Sequence, residues 1–330
     1  MKWLPDSVVT RLQSDMQLPD LPGTRYRAIK FLARGGMGAV WLAEDIVLER
    51  KVALKILAPE ASSPELASRL LREAVVLAQL EHPGIVPVHD AGTLNDGRTF
   101  YCMKYVEGRT LEQHVAGTSL RERAQLLERI AEPLAFAHSL GIIHRDLKPS
   151  NIMIGAFGEV LILDWGLAKI KRNRTIEAES SGRAAGAESA RARPATQSTG
   201  HGSVLGTPGY MAPEQASGEL QLIDERTDIF ALGALLKFML AGMASEGSAT
   251  LKPLFAICRK AMAEERAARY QTVKEMASDV GKFLDGLPVS AYRENAMEKA
   301  VRLVKRHQAA IVLVLAYLLM RFLFILFSRR

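Results

Sequence analysis

The run His144-Arg145-Asp146-Leu147-Lys148-Pro149-Ser150-Asn151 brings a carboxylate, an ammonium and an amide close together, and Asp164-Trp165-Gly166 follows it. A carboxylate at Asp146 can accept the proton of a hydroxyl, with the Lys148 ammonium two residues away, while Asn151 and Asp164 offer oxygens that can share a metal ion. These types in this order suit phosphoryl transfer, where positioning and charge neutralisation supply most of the barrier reduction. Asp146 and Lys148 are therefore the catalytic candidates, and Asn151 and Asp164 the metal-binding ones.

Such groups need elements to hold them and a second wall to hold a nucleotide. Tyr26 to Leu32 alternates as a strand, and Ala33-Arg34-Gly35-Gly36-Met37-Gly38-Ala39-Val40 is a glycine-rich turn into the next strand. Glycines there let backbone N–H groups approach phosphate oxygens. Val52-Ala53-Leu54-Lys55 is a strand with one lysine among apolar neighbours, and a half-buried lysine needs an anionic partner. Pro64 to Leu80 has helical apolar spacing, with Glu73 as the candidate partner. Thr99 to Val106 is an apolar strand, and Leu120 to Leu140 a long amphipathic helix that leads into the catalytic run.

From about Tyr26 to Leu287 the chain resembles the eukaryotic-like Ser/Thr protein kinases of bacteria. The catalytic run, Asp164-Trp165-Gly166, Val52-Ala53-Leu54-Lys55 and Ala212-Pro213-Glu214 carry the resemblance, and their order does so more than any one of them. It implies an α+β, two-lobed fold: a small β-rich lobe over 26–106, a mainly helical lobe over 107–287, and MgATP in the cleft between them. It further implies that Leu32, Gly35, Gly38, Val40, Ala53, Lys55, Glu73, Met103, Tyr105 and Met153 surround the nucleotide, with Met103 as gatekeeper and Leu32 and Val40 above the adenine. Asp146 becomes the catalytic base, Lys148 offsets charge on the moving phosphoryl group, and Asn151 and Asp164 hold Mg²⁺. By the same resemblance Thr207 contacts Asp146 and Lys148, Glu214 pairs with Arg269, and Asp228 braces the catalytic-loop backbone.

The chain departs from the family pattern in four places. Ala33 stands where the first glycine of the turn is expected, and Trp165 replaces a phenylalanine and is expected to pack with Leu77, Val88 and His144. The segment at about 171–204 is long, polar and without apolar period, and reads as a mobile activation-loop insert; Ser198, Thr199 and Ser203 are its candidate autophosphorylation sites. After Gly242 only a short polar link precedes Leu251 to Ala263, so a helix common in the family is shortened or missing. The alternatives to an active kinase are a nucleotide-binding pseudokinase or scaffold and, less in keeping with Ala212-Pro213-Glu214, a small-molecule phosphotransferase.

Composition sets the surroundings. With 330 residues, 48% of them hydrophobic, the chain can bury a full core, and disorder is not its default. The net charge of +7 comes from 43 basic and 36 acidic residues. Much of the excess lies between Lys171 and Arg193 and in Lys299, Arg302, Lys305 and Arg306, and a juxtamembrane cluster explains the second place better than nucleic acid does. Cys102 and Cys258 read as reduced core thiols. Residues 1–25 form an extension without a secretory signal. Residues 309–327, after a basic segment at 288–308 and before a short tail at 328–330, have the length and apolarity of a membrane span. Its one charge, Arg321, costs roughly 2.5–3.5 kcal/mol at the bilayer centre, outweighed by the many apolar residues. The sequence-based expectation is a single-pass inner-membrane protein with a cytosolic catalytic domain, protein substrates bearing Ser or Thr, and self-association for autophosphorylation.

Overall fold

The computed structural model describes residues 18–35, 38–58, 63–170, 207–243, 248–306 and 308–328. The long insert with Ser198, Thr199 and Ser203, and the first 17 residues, lie outside the described residues. Strands β1 (Tyr26–Arg34), β2 (Gly38–Asp45), β3 (Arg50–Leu57), β4 (Val88–Thr93) and β5 (Thr99–Lys104) form one antiparallel sheet in the order β1-β2-β3-β5-β4. Period-two alternation then sorts side chains between its faces. Val52, Leu54 and Ile56 of β3 pack with Trp41, Phe100 and Cys102 in one cluster. Lys55 lies opposite Tyr101 across the β3–β5 ladder, and both therefore face the other way, toward the first described helix.

That helix, α1 (Pro64–Gln79), begins where the Ser63 hydroxyl accepts a hydrogen bond from the Leu66 amide at 3.3 Å and Pro64 supplies the preset φ of a first turn. Leu70, Ala74 and Leu77 are buried against the sheet, and the same face carries Glu73 inward. The apolar stripe thus positions a carboxylate.

The large lobe contains β6 (Gly108–Thr110), α2 (Leu111–His114), α3 (Leu120–Ser139), β7 (Ile142–Ile143), β8 (Ile152–Gly155), β9 (Val160–Ile162), β10 (Lys169–Ile170), α4 (Pro213–Ala216), α5 (Glu225–Leu240), α6 (Ser248–Ala261) and α7 (Val273–Leu284). A capping box between Ser119 and Glu122 starts α3. Helix α5 is the lobe's centre: Ile229, Leu232, Leu235, Leu236 and Met239 are wholly buried, each stabilising the fold by roughly 1.5–3 kcal/mol. One continuous core joins Leu70 and Leu77 of α1 through Trp165 to Ile162 and Ile229, so the lobes share their packing across the hinge. Two further helices follow, α8 (Ala296–Arg306) and α9 (Gln308–Ser328).

The first strand runs past Leu32 to Arg34, and α6 begins at Ser248, inside the stretch that polarity alone marks as linker. Only residues 241–247 connect α5 to α6, and among the described residues no helix lies between them. Both cysteines are free and buried, in β5 and α6, where burial pushes the Cys102 thiol up to about 11 and the Cys258 thiol up to about 12. Among the described residues no helix is long and apolar enough to cross a membrane. Helix α9 comprises 21 residues, but the side chains of 308–310, 323, 326 and 328 are outside the description.

Candidate active site

The cleft side of β3 and α1 holds an ion network. Lys55 Nζ donates to Glu73 Oε1 at 2.7 Å and Oε2 at 2.9 Å, and to Asp164 Oδ1 at 3.1 Å. The Tyr101 hydroxyl donates to Glu73 Oε1 at 2.7 Å, a contact that the sequence reading missed. Its signal was present, since Tyr101 interrupts an apolar strand directly across from Lys55. Burial by itself would pull the lysine down, but the Asp164 and Glu73 carboxylates outweigh it and hold the ammonium above its ordinary range. Burial likewise opposes ionisation of Asp164, and the Lys55 ammonium overcomes it, leaving the Asp164 carboxyl below its usual range. Burial pushes Glu73 up against the pull of the same lysine.

The catalytic loop is shaped from beneath by α5. Asp228, wholly buried, accepts hydrogen bonds from the backbone amides of His144 and Arg145, both at 2.8 Å, and lies 2.7 Å from His138 Nε2. Burial would raise this carboxyl, yet the His138 hydrogen bond leads a set of donors that bring it below the ordinary range. His144 does more than fill space. Its Nδ1 accepts from the Asp146 amide at 3.2 Å, so Nε2 carries the proton donated to the Leu163 carbonyl at 3.1 Å. One imidazole therefore links the catalytic loop to the residue just before Asp164. Arg145 and Asp164 both adopt left-handed backbone, with φ of 72° and 55°, a conformation that costs non-glycine residues about 1–3 kcal/mol each. The braces around them hold that strain at the site.

On this frame the reacting groups converge. Thr207 Oγ1 donates to Asp146 Oδ1 at 3.0 Å and accepts from Lys148 Nζ at 3.0 Å, while Lys148 also reaches Asp146 Oδ2 at 2.8 Å. Asn151 Nδ2 donates to the Asp146 carbonyl at 2.8 Å, which fixes the side-chain amide against the loop. Gln215 adds a brace that the sequence did not announce, with Nε2 donating to the Arg145 carbonyl at 2.7 Å. Glu214 pairs with Arg269 through two contacts of 2.8 and 2.9 Å, with both side chains buried and Thr227 donating to Glu214 at 2.9 Å.

The expected nucleotide walls fall on consecutive elements. Leu32 and Val40 are half-buried on β1 and β2, Ala53 is buried on β3 across from Met103 of β5, Tyr105 follows β5, and Met153 is half-buried on β8 opposite Thr110. The two matching glycines have different causes. A Cβ on Gly35 would meet nothing nearer than the Gly38 carbonyl at 3.9 Å, leaving room for a ligand. A Cβ on Gly38 would lie 2.1 Å from the Ile56 carbonyl, so strand pairing alone forbids a side chain there. Ala33 is exposed at the same turn. Among the described residues no three acidic, histidine or cysteine side chains cluster to hold a metal by themselves. Half-exposed Asp164 and the amide of Asn151, whose nitrogen is taken up by the loop, offer oxygens that fit instead a cation taking its remaining ligands from phosphate.

Trp165 is 1% exposed and packs edge-on against His144, with ring centroids 4.6 Å apart. Leu77 and Val88 belong to the same core. The indole N–H, however, has no hydrogen-bond partner in the protein. His82 is bonded to the Gly84 amide at 3.0 Å and stacked near Phe136, so its place is structural.

Comparison with known proteins agrees with this geometry. A family profile described as protein kinase domain matches residues 26–293. The serine/threonine-protein kinase PknD of Chlamydia trachomatis serovar D is 34% identical over 313 residues, covering 83% of this chain and 33% of the relative. The serine/threonine-protein kinase PrkC of Bacillus subtilis is 32% identical over 318 residues, covering 87% of this chain and 45% of the relative. The chain thus spans about a third to under half the length of these curated relatives. The crystal structure of the Mycobacterium tuberculosis PknI kinase domain superposes with a TM-score of 0.57 at 24% identity, over 80% of this chain and 98% of that one, a likeness of fold. On the profile match and the shared architecture, this chain belongs to the protein kinase domain family.

Proposed function

We propose that the chain is a Ser/Thr protein kinase that transfers the γ-phosphate of MgATP to Ser or Thr hydroxyls of protein substrates. The observation that carries this is the hydroxyl of Thr207, held with its proton on Asp146 and its oxygen against Lys148. The pair is therefore arranged to bind an aliphatic hydroxyl in the sense that the reaction needs. Asp146 accepts the proton as the substrate oxygen bonds to the γ-phosphorus and the bond to the β-phosphate oxygen breaks; Lys148 offsets charge on the transferring group. Lys55, fixed by Glu73 and Tyr101, offers its ammonium to the α- and β-phosphates. A divalent cation held by Asn151 and Asp164 would neutralise phosphate charge. That the relatives are Ser/Thr kinases supports the substrate class.

The reading extends to location and control. Ala309 to Phe327 serves as a single membrane anchor, with the catalytic domain on the cytosolic side of the inner membrane; the supports are the length and apolarity of the sequence and its basic flank. Autophosphorylation at Ser198, Thr199 or Ser203 regulates the site, supported by the hydroxyl-rich composition of 171–204. The test is transfer of labelled γ-phosphate by the full chain beside Asp146→Asn and Lys55→Met, followed by mapping of the labelled residues. Label in the wild type alone supports the kinase. Nucleotide binding without label in any of the three supports the scaffold, and label only outside 171–206 removes the loop-control reading.

A further inference from the structure

The chain leaving the large lobe is fastened to it rather than slack. Beyond α7, Val289 is buried, and the Asp279 carboxylate accepts from the Ser290 amide at 2.9 Å, the Ser290 hydroxyl at 2.6 Å and the Ala291 amide at 3.2 Å. Helix α8 is then tied to the lobe through Lys252 and to its own lead-in segment through Tyr292 and Glu294. Glu298 accepts from Lys252 Nζ of α6 at 3.0 Å and from the Tyr292 hydroxyl at 2.9 Å, and Arg302 Nε donates to Glu294 at 2.9 Å.

Glu298 and Arg302 are four residues apart and share one helix face, so the face that meets Lys252 and the lead-in segment is the polar one. Met297, Leu303 and Val304 are left outward, at 77%, 58% and 53% exposure. A helix of a soluble domain normally does the reverse. Only residue 307 separates α8 from the apolar sequence of α9, and Lys299, Lys305 and Arg306 intersperse the outward residues in sequence. On the same side of the lobe a cavity of about 620 Å³ is lined by Lys237, Lys252 and Arg259 beside Phe255, Met262 and Tyr292, with no carboxylate in its lining. Lys252 is already paired with Glu298, but a second copy of the chain would set Lys237 and Arg259 against their equals, whereas an anionic lipid surface complements both their charge and the apolar face.

We infer that α8 lies in the headgroup–acyl boundary of an anionic bilayer, with Met297, Leu303 and Val304 inserted, and that Asp279, Glu298 and Arg302 make it a bracket that fixes the height and tilt of the catalytic domain. The inference rests on the membrane-anchor reading above. It goes further, because an anchor alone would permit a loose tether.

The full chain is reconstituted in phosphatidylcholine vesicles with and without phosphatidylglycerol, carrying an environment-sensitive fluorophore at Met297→Cys, Leu303→Cys or, as a control, Phe157→Cys, which is 97% exposed in the β8–β9 turn. Expected are blue-shifted emission and quenching by nitroxide-bearing lipid at 297 and 303 but not at 157, stronger with phosphatidylglycerol. Lys252→Glu, which opposes Glu298 with a second carboxylate, should broaden the distribution of distances from position 157 to the lipid surface. Water-like emission at 297 and 303 in chains that resist alkaline carbonate extraction overturns the docking while the anchor survives. Carbonate release with lipid-quenched labels keeps the docking and removes the anchor. Blue shift without lipid quenching, with cross-linking between two copies at 297, assigns the face to self-association and overturns the proposal, as does an unchanged distance distribution in Lys252→Glu.

Discussion

Replacing Glu214 with glutamine keeps the shape of the side chain and removes one buried charge. Arg269 would then keep its guanidinium among three carbonyls, those of Ala263 at 2.7 Å, Arg226 at 3.1 Å and Glu264 at 3.1 Å, with no counter-charge at all. Its side chain has no exposed surface and that of Glu214 only 3%, so water cannot take over. Breaking a buried pair by altering one partner costs about 3–5 kcal/mol, and at about 2–4 °C per kcal/mol for a domain of this size the unfolding midpoint should fall by roughly 6–20 °C. The double variant Glu214→Leu with Arg269→Met should cost clearly less than the two single changes summed, because neither charge is then left behind. The assays are thermal unfolding for the midpoint and urea unfolding for the free energy, both followed by fluorescence, with the urea slope compared between variants. The sign with pH follows from the pair. Burial opposes ionisation of Glu214, but its bonds to Arg269 hold the carboxyl below its usual range. Its contribution is therefore complete above about pH 4 and is lost as the pH falls through the lowered folded value, so wild type and Glu214→Gln should converge in acid. A Glu214→Gln protein within 1 kcal/mol of wild type at neutral pH, or strict additivity in the cycle, would refute this account.

Three other outcomes are expected. Gly38→Ala should destabilise the small lobe by about 1–3 kcal/mol through its clash with the Ile56 carbonyl, whereas Gly35→Ala should leave unfolding unchanged and act, if at all, on nucleotide affinity measured by titration calorimetry. Trp165→Phe removes a buried N–H without a partner, recovering about 1–3 kcal/mol against the loss of ring area, so unfolding should shift by less than about 2 kcal/mol in either direction; a larger loss would mean that the indole N–H is bonded in solution. Tyr101→Phe should leave the fold intact and lower the apparent affinity for nucleotide in a fluorescence titration, because Glu73 loses the donor at 2.7 Å that helps to fix Lys55.

Much of the site was legible because its residues are bound to motifs whose order survives inspection of one chain. The pairing of Lys55 with Glu73 followed from the cost of a lone buried ammonium and the apolar stripe around Glu73, and the contacts of Thr207, Asp228 and Arg269 followed from resemblance. Contacts made by unremarkable residues were not legible. Gln215 reaches the catalytic loop across 70 residues of sequence, and His138, just ahead of that loop, reaches its brace Asp228 across 90; nothing local marks either one. Gly38 was read as serving phosphate, yet the close approach of β3 requires it first, since pairing between strands becomes visible only once the register is known. The stretch beyond Leu287 read only as a basic juxtamembrane segment, because composition reports charge and is silent on which partner Asp279 or Glu298 will find.

The attachment of the catalytic loop to Asp228 has a kinetic corollary. Loops ordinarily exchange their amide protons fast, through small local openings. Here the amides of His144 and Arg145 donate to a wholly buried carboxylate in the first turn of α5, and freeing either proton requires α5 to give up that carboxylate. In deuterated buffer these two positions should exchange as slowly as the helical core, nearly at the rate of whole-domain opening, although neither belongs to a helix or strand. The residues beside the reacting carboxylate would then lose their arrangement only when the large lobe itself unfolds, so heat should abolish catalysis and core packing together.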